Sequence, residues 1–168
     1  MFRSLSRALR SLRSRYAERH LGMIARSVRL AGLTYLSVEK MERIERSLER
    51  VIAESVPGEF MEFGVALGGS AIVIADRAAA DGRAFHGFDV FGMIPEPTSE
   101  MDDQKSKDRY RQIAAGESRG LKGDVYYGYR QNLFAEVIAS FARYHLPITP
   151  GRIELHKGLF EDTVPGVV

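Results

Sequence analysis

The residues best suited to chemistry lie in one short stretch, Glu62-Phe63-Gly64-Val65-Ala66-Leu67-Gly68-Gly69-Ser70, and in a second acid, Asp89, further along the chain. Glycines at the carboxyl end of a strand let the backbone turn sharply and approach a ligand, and the helix that follows presents free amide groups. In open α/β sheets the crevice outside the strand ends is where ligands bind. An acid just before the first glycine and a second at the end of the next strand add hydrogen-bond acceptors, and Asp89 is placed to accept from ribose hydroxyls.

Several readings of the glycines compete. A phosphate-binding loop needs GxxxxGK[ST]; Gly64 and Gly69 have the spacing, but Ser70 stands where the lysine belongs. A dinucleotide fingerprint needs GxGxxG, whereas the spacing here is G-x-x-x-G-G, which leaves a nicotinamide-dependent oxidoreductase as a weak alternative. A plain strand-to-helix turn with no ligand is the structural alternative. The histidines His20, His86, His145 and His156 show no i,i+4 pair and no HExxH context, so no metal site is expected from them. Tyr126, Tyr127 and Tyr129 could line a substrate entrance or simply pack on the sheet edge.

The elements that must position these residues follow from periodicity. Met41, Ile44, Leu48 and Ile52 recur at helical intervals over 37–55, and Pro57-Gly58 stops that helix. Phe60, Met61, Phe63 and Val65 form a short apolar run that reads as a buried strand running into the glycines. A helix over 70–80, a strand over 84–89, a helix over 133–144 and a strand over 152–156 complete the pattern. Between them, 92–131 is a charged, glycine-containing insertion in which one helix is expected near 103–115, with the rest a lid or flap. Strand, helix, strand, insertion, helix, strand is the order of a parallel sheet with right-handed crossovers. The expected architecture is therefore α/β and Rossmann-like: an amino-terminal helical extension over 1–55, then the first half of a ligand-binding domain over 56–168. Three strands are few for such a sheet, so the chain reads as truncated after the third.

Composition bounds the rest. With 168 residues and 45% hydrophobic content the chain can bury one core. It has no cysteine, which excludes disulfides, thiolate zinc sites and a cysteine nucleophile. No apolar run is long enough to cross a bilayer, and a soluble, cytoplasmic protein is expected. Arg3, Arg7, Arg10, Arg13 and Arg15 precede the first acid, Glu18, and Phe2, Leu5, Leu9, Leu12 and Tyr16 share one helical face. The main reading of this basic amphipathic segment is a peripheral helix packed on its own domain or on a second subunit of a homo-oligomer. Contact with an anionic membrane and an organellar transit peptide are the alternatives. Nucleic-acid binding is not expected, because no basic stripe with interleaved aromatics runs through the rest of the chain.

The motifs carry a resemblance. The stretch from Val56-Pro57-Gly58-Glu59-Phe60-Met61-Glu62 to Ser70 is similar to the cofactor loop of the macrocin O-methyltransferase family, within the class I S-adenosylmethionine-dependent methyltransferases. That loop usually runs Val-Pro-Gly-Asp, a hydrophobic residue, then Ile-Glu-Thr-Gly-Val-Trp-Arg-Gly-Gly-Ala. Phe88-Asp89-Val90-Phe91-Gly92-Met93-Ile94-Pro95 resembles the family's Ala-Asp-Ser-Phe-Glu-Gly-Leu-Pro, with the glycine one place earlier. His156-Lys157-Gly158-Leu159-Phe160-Glu161-Asp162-Thr163-Val164-Pro165 resembles its Pro-Gly-Trp-Phe-x-Asp-Thr-Leu-Pro. Departures fall at Phe63, where the family has threonine, and at Ala66-Leu67, where it has tryptophan and arginine.

The resemblance implies S-adenosylmethionine as cofactor, held by Glu62, Gly64, Gly68, Gly69, Ser70 and Asp89. It places Phe91 and the backbone around Gly158 and Phe160 beside the adenine. It implies methyl transfer to a hydroxyl of a sugar or glycosylated small molecule. The family's magnesium site and catalytic groups lie after the third strand, so any Mg2+ ligands are expected outside this chain. A non-catalytic, truncated or degenerate domain is the alternative from a different functional class.

Overall fold

A computed structural model describes residues 18–167. The basic amphipathic segment expected over 2–16 lies outside the described residues. Two helices lead, α1 (Met23–Leu30) and α2 (Val38–Ala53). Then come β1 (Phe60–Phe63), α3 (Gly69–Ala80), β2 (Phe85–Asp89), α4 (Gln104–Ala114), α5 (Leu133–Arg143), β3 (Ile153–Lys157) and a single-turn α6 (Phe160–Thr163). The strands form one parallel sheet in the order β1-β2-β3.

The α/β order expected from the sequence is the one observed, and each element reflects its composition. The Ser37 side chain caps α2 by accepting from the amide of Lys40, and Met41 and Leu48 are buried along its apolar stripe. The alanines of α3 let that helix lie close to the sheet, with Ala71, Ala75 and Ala78 fully buried. In β2 all five residues are buried, as in a strand covered on both faces. Alternation divides its side chains between those faces. Phe85 packs against Phe141 of α5, while His86 and Phe88 point the opposite way and stack with His156 of β3.

Helix α1 falls within the helical extension expected over 1–55, although no local periodicity marks its bounds. Its Ala25 and Val28 are buried and pack towards α3, while Arg26 donates back to the carbonyl of Leu21 and Arg29 forward to that of Leu36. Leu21, Val28 and Met41 belong to the same apolar cluster as Phe85, Val137 and Phe141, so the helices before β1 share the core of the sheet. The insertion holds its expected helix, α4, and the rest of it is anchored rather than loose. Ile113 and Tyr126 are buried, and the Tyr129 hydroxyl donates to the carbonyl of Ile113 at 2.6 Å while accepting from the amide of Ser118.

Candidate cofactor site

Strand β1 ends at Phe63, and the turn that follows is built from backbone conformations that side chains rarely adopt. Gly64 has φ +95°, Ala66 +50° and Gly68, which begins α3, +90°. The space where a Cβ on Gly64 would project is open, so this glycine leaves room for a ligand beside the strand end. Gly69 is different. A Cβ there would lie 2.4 Å from the carbonyl oxygen of Leu33, which accepts a hydrogen bond from the Gly69 amide. Gly69 is therefore fixed by the connector between α1 and α2, which crosses over the start of α3.

Asp89 ends β2 and is buried. Its Oδ2 accepts from the amide of Ala66 at 2.8 Å, and its Oδ1 from the amide of Phe91 at 2.7 Å. Both donors have left-handed backbone, Phe91 at φ +49°. Each carboxylate oxygen has a second lone pair and so retains capacity for a further donor. The Asp89 carbonyl also accepts from the amide of Gly158, and the Phe88 carbonyl from the amide of Gly64, so the turns after all three strands are tied together at one end of the sheet.

Glu62 points to the α3 side of β1, where its Oε2 is enclosed with no hydrogen-bond partner. Burial pushes its carboxyl up to about 7, the Ser70 hydroxyl opposes the shift, and the charge of Asp89 adds to it. A buried carboxylate oxygen without a donor is costly unless a cation or a proton meets it. A ligand ammonium fits that position, and hydroxyl donors fit the remaining acceptors of Asp89. The strand ends thus offer acceptors of the kind that an ammonium and a ribose engage.

The remaining residues singled out from the sequence are placed unequally. Glu62, Ser70, Asp89 and the backbone of Gly64 and Gly158 come together. The Phe91 ring is buried against Phe134, at 4.8 Å between centroids. Phe160 is half exposed and meets Phe63 edge-on at 5.4 Å, on the strand face opposite Glu62. Of the three tyrosines, Tyr126 and Tyr129 hold the insertion together. Tyr127 lies within the field of Asp89, and its hydroxyl is pushed upward by burial first, then by its hydrogen bond with Tyr126. Tyr35, which no local pattern marks, meets Tyr127 edge-to-face at 5.8 Å. Beside the loop a cavity of about 480 Å³ opens among Leu33, Leu67, Arg130 and Val137; neither Glu62 nor Asp89 lines it. Arg130 is engaged there by Asp124 and Glu136, each at 2.6 Å.

No helix among the described residues is long and apolar enough to cross a membrane. No curated protein matches the chain. Among solved structures it is similar to the O-methyltransferase NovP, with 24% identity and a TM-score of 0.61, over 80% of this chain and 51% of that one. It is also similar to CalS11, a calicheamicin methyltransferase, with 18% identity and a TM-score of 0.47, over 80% and 49% of the two chains. The chain thus spans about half the length of the solved structures it matches. The family described as macrocin O-methyltransferase (TylF) matches residues 5–168, and the chain belongs to that family.

Proposed function

We propose that this chain forms the cofactor-binding part of an S-adenosylmethionine-dependent O-methyltransferase that acts on a hydroxyl of a sugar or glycosylated small molecule. The observation that carries the reading is the enclosed, unpartnered carboxyl oxygen of Glu62, set across the glycine turn from the buried Asp89. Glu62 would receive the ammonium of the methionine part, with Ser70 steadying its carboxyl. Asp89 would hold the ribose while its two amide contacts keep the turn in place. Family membership supports transfer to oxygen. When bound, S-adenosylmethionine would supply an electrophilic methyl group, and Glu62, Ser70 and Asp89 would hold the donor in place for an acceptor oxygen. The chemistry is chiefly one of positioning.

Titration calorimetry of the chain with S-adenosylmethionine and, separately, NAD tests the reading. Saturable one-to-one binding of the methyl donor is expected, weakened at least tenfold by Glu62→Gln. Absence of saturable binding, or preference for NAD, would overturn it.

A further inference from the structure

On the sheet face turned away from α3 and α5, strand register brings together three side chains far apart in sequence. Residue 86 pairs with 154 across β2 and β3, and 88 with 156, so His86, Glu154 and His156 share one face. The Nδ1 of His86 lies 3.0 Å from the Nε2 of His156. Glu154 brings a carboxylate oxygen into the same group, and one ligand atom from each of the three residues falls within 4.8 Å of the others. We propose that His86, His156 and Glu154 form a binding site for a divalent transition-metal ion of the zinc class.

The geometry is close to what such an ion requires. Two ligand atoms at ~2.0–2.1 Å from a tetrahedral zinc stand about 3.3 Å apart, so the imidazoles need to open by a few tenths of an ångström and the Glu154 oxygen, within 4.8 Å, to close in by up to about 1.5 Å. The ligands are held from behind. The Nε2 of His86 meets the Glu59 carboxylate at 2.8 Å, an arrangement that protonates Nε2 and leaves the lone pair on Nδ1 facing His156. A histidine ligand whose far nitrogen donates to a carboxylate is the usual support for zinc. Glu154 is held through its Oε1, which accepts from the amide of Gly151 at 2.7 Å. With Nε2 of His86 protonated, the Nε2 proton of His156 would face Nδ1 of His86, and ion binding would require His156 to carry that proton on Nδ1 instead.

His86 is buried, while Glu154 and His156 are half-buried, so the ion has a route in and water can fill its fourth position. Two nitrogens and one oxygen suit zinc, cobalt, nickel or copper, and suit magnesium poorly. Bound there, the ion would cross-link β2 to β3, and through His86 to the Glu59 carboxylate just before β1.

Untagged chain titrated with Co2+ gives a direct readout in the visible absorption of a nitrogen- and oxygen-ligated ion. Saturation at one equivalent is expected, with displacement by Zn2+ and none by Mg2+. His156→Gln should weaken binding at least a hundredfold, and Glu59→Gln, which removes only the support, about tenfold. His145→Gln should leave it unchanged. His156 is partly exposed, so its variant is the decisive one if the buried His86 proves intolerant, and circular dichroism verifies its fold. Failure of the native chain to saturate, or a His156→Gln chain that binds as tightly as the native one, would overturn the proposal. This readout is independent of methyl-donor binding.

Discussion

Asp89 accepts a hydrogen bond from the amide of Ala66 at 2.8 Å, joining the end of β2 to the middle of the turn after β1. Ala66 is held at φ +50°, a conformation that costs a non-glycine residue about 1–2 kcal/mol. The same carboxylate holds Phe91 in the same region of backbone space. Asp89→Ala should therefore release both turns. Two hydrogen bonds to a charged acceptor are lost, and a destabilisation of about 3 kcal/mol is expected in urea denaturation. Asp89→Asn, which keeps one acceptor oxygen, should fall between the variant and the native chain.

The Glu62 carboxyl gives stability a definite pH dependence. Its folded value of about 7 lies above the unfolded value of 4.5, so the folded state binds more protons between those limits. The sign follows: the contribution of this group is most favourable below about 4.5, declines as pH rises, and levels off above about 7. At 1.36 kcal/mol per pH unit the full decline is about 3 kcal/mol. Glu62→Gln removes the titration, so the variant should gain on the native chain across that window. Paired urea curves at several pH values measure it.

Binding of an ammonium-bearing ligand should reverse that preference. Near pH 7 about half of the Glu62 carboxyls carry a proton, and a cation beside them drives it off. Affinity for S-adenosylmethionine is expected to rise between about pH 6 and 7.5. Calorimetry in buffers of different ionisation heat should register proton release, and Glu62→Gln should abolish it.

The glycines of the turn should separate by function. Gly69→Ala places a methyl group 2.4 Å from the Leu33 carbonyl oxygen, and should destabilise the fold by about 1–3 kcal/mol as the connector is pushed away. Gly64→Ala meets open space and suffers only backbone strain, about 1 kcal/mol. Its larger effect should be on cofactor affinity. Thermal melts and binding isotherms on the same two variants distinguish the roles.

Tyr129→Phe should loosen the insertion without touching the sheet. It removes the hydroxyl that joins Ile113 to Ser118, at an expected cost of about 1–2 kcal/mol. Faster hydrogen exchange confined to 113–130 is the measurement that checks it.

Much of this architecture was legible because local pattern and tertiary role coincide. The stripe of Met41, Ile44 and Leu48 marks α2, and the run Phe60 to Phe63 marks β1, because each is local enough for periodicity to reveal. The bounds of helix α1 are not legible because only Ala25 and Val28 are buried among Arg26, Ser27 and Arg29, whose side chains serve other carbonyls or neighbours. Glu62 and Asp89 could be placed at strand ends from sequence. That Asp89 clasps Ala66 could not, since it depends on how two turns meet. The close approach of Leu33 to Gly69 is likewise a contact no local window contains. The packing of the Phe91 ring on Phe134 is equally hidden from the sequence, because it joins the turn after β2 to the start of α5. His86 and His156 show none of the spacing that signals a metal on a helix. Only the parallel register makes them neighbours.

That register also sets an order of assembly. Phe60 meets Phe85 across one short helix, whereas Phe85 meets Ile153 only after the entire insertion and α5 have been traversed. Closing the longer loop takes more chain entropy, so the β1–β2 unit should nucleate and β3 should arrive late. The facing imidazoles sit on that last seam, so they should meet only at the final step of folding.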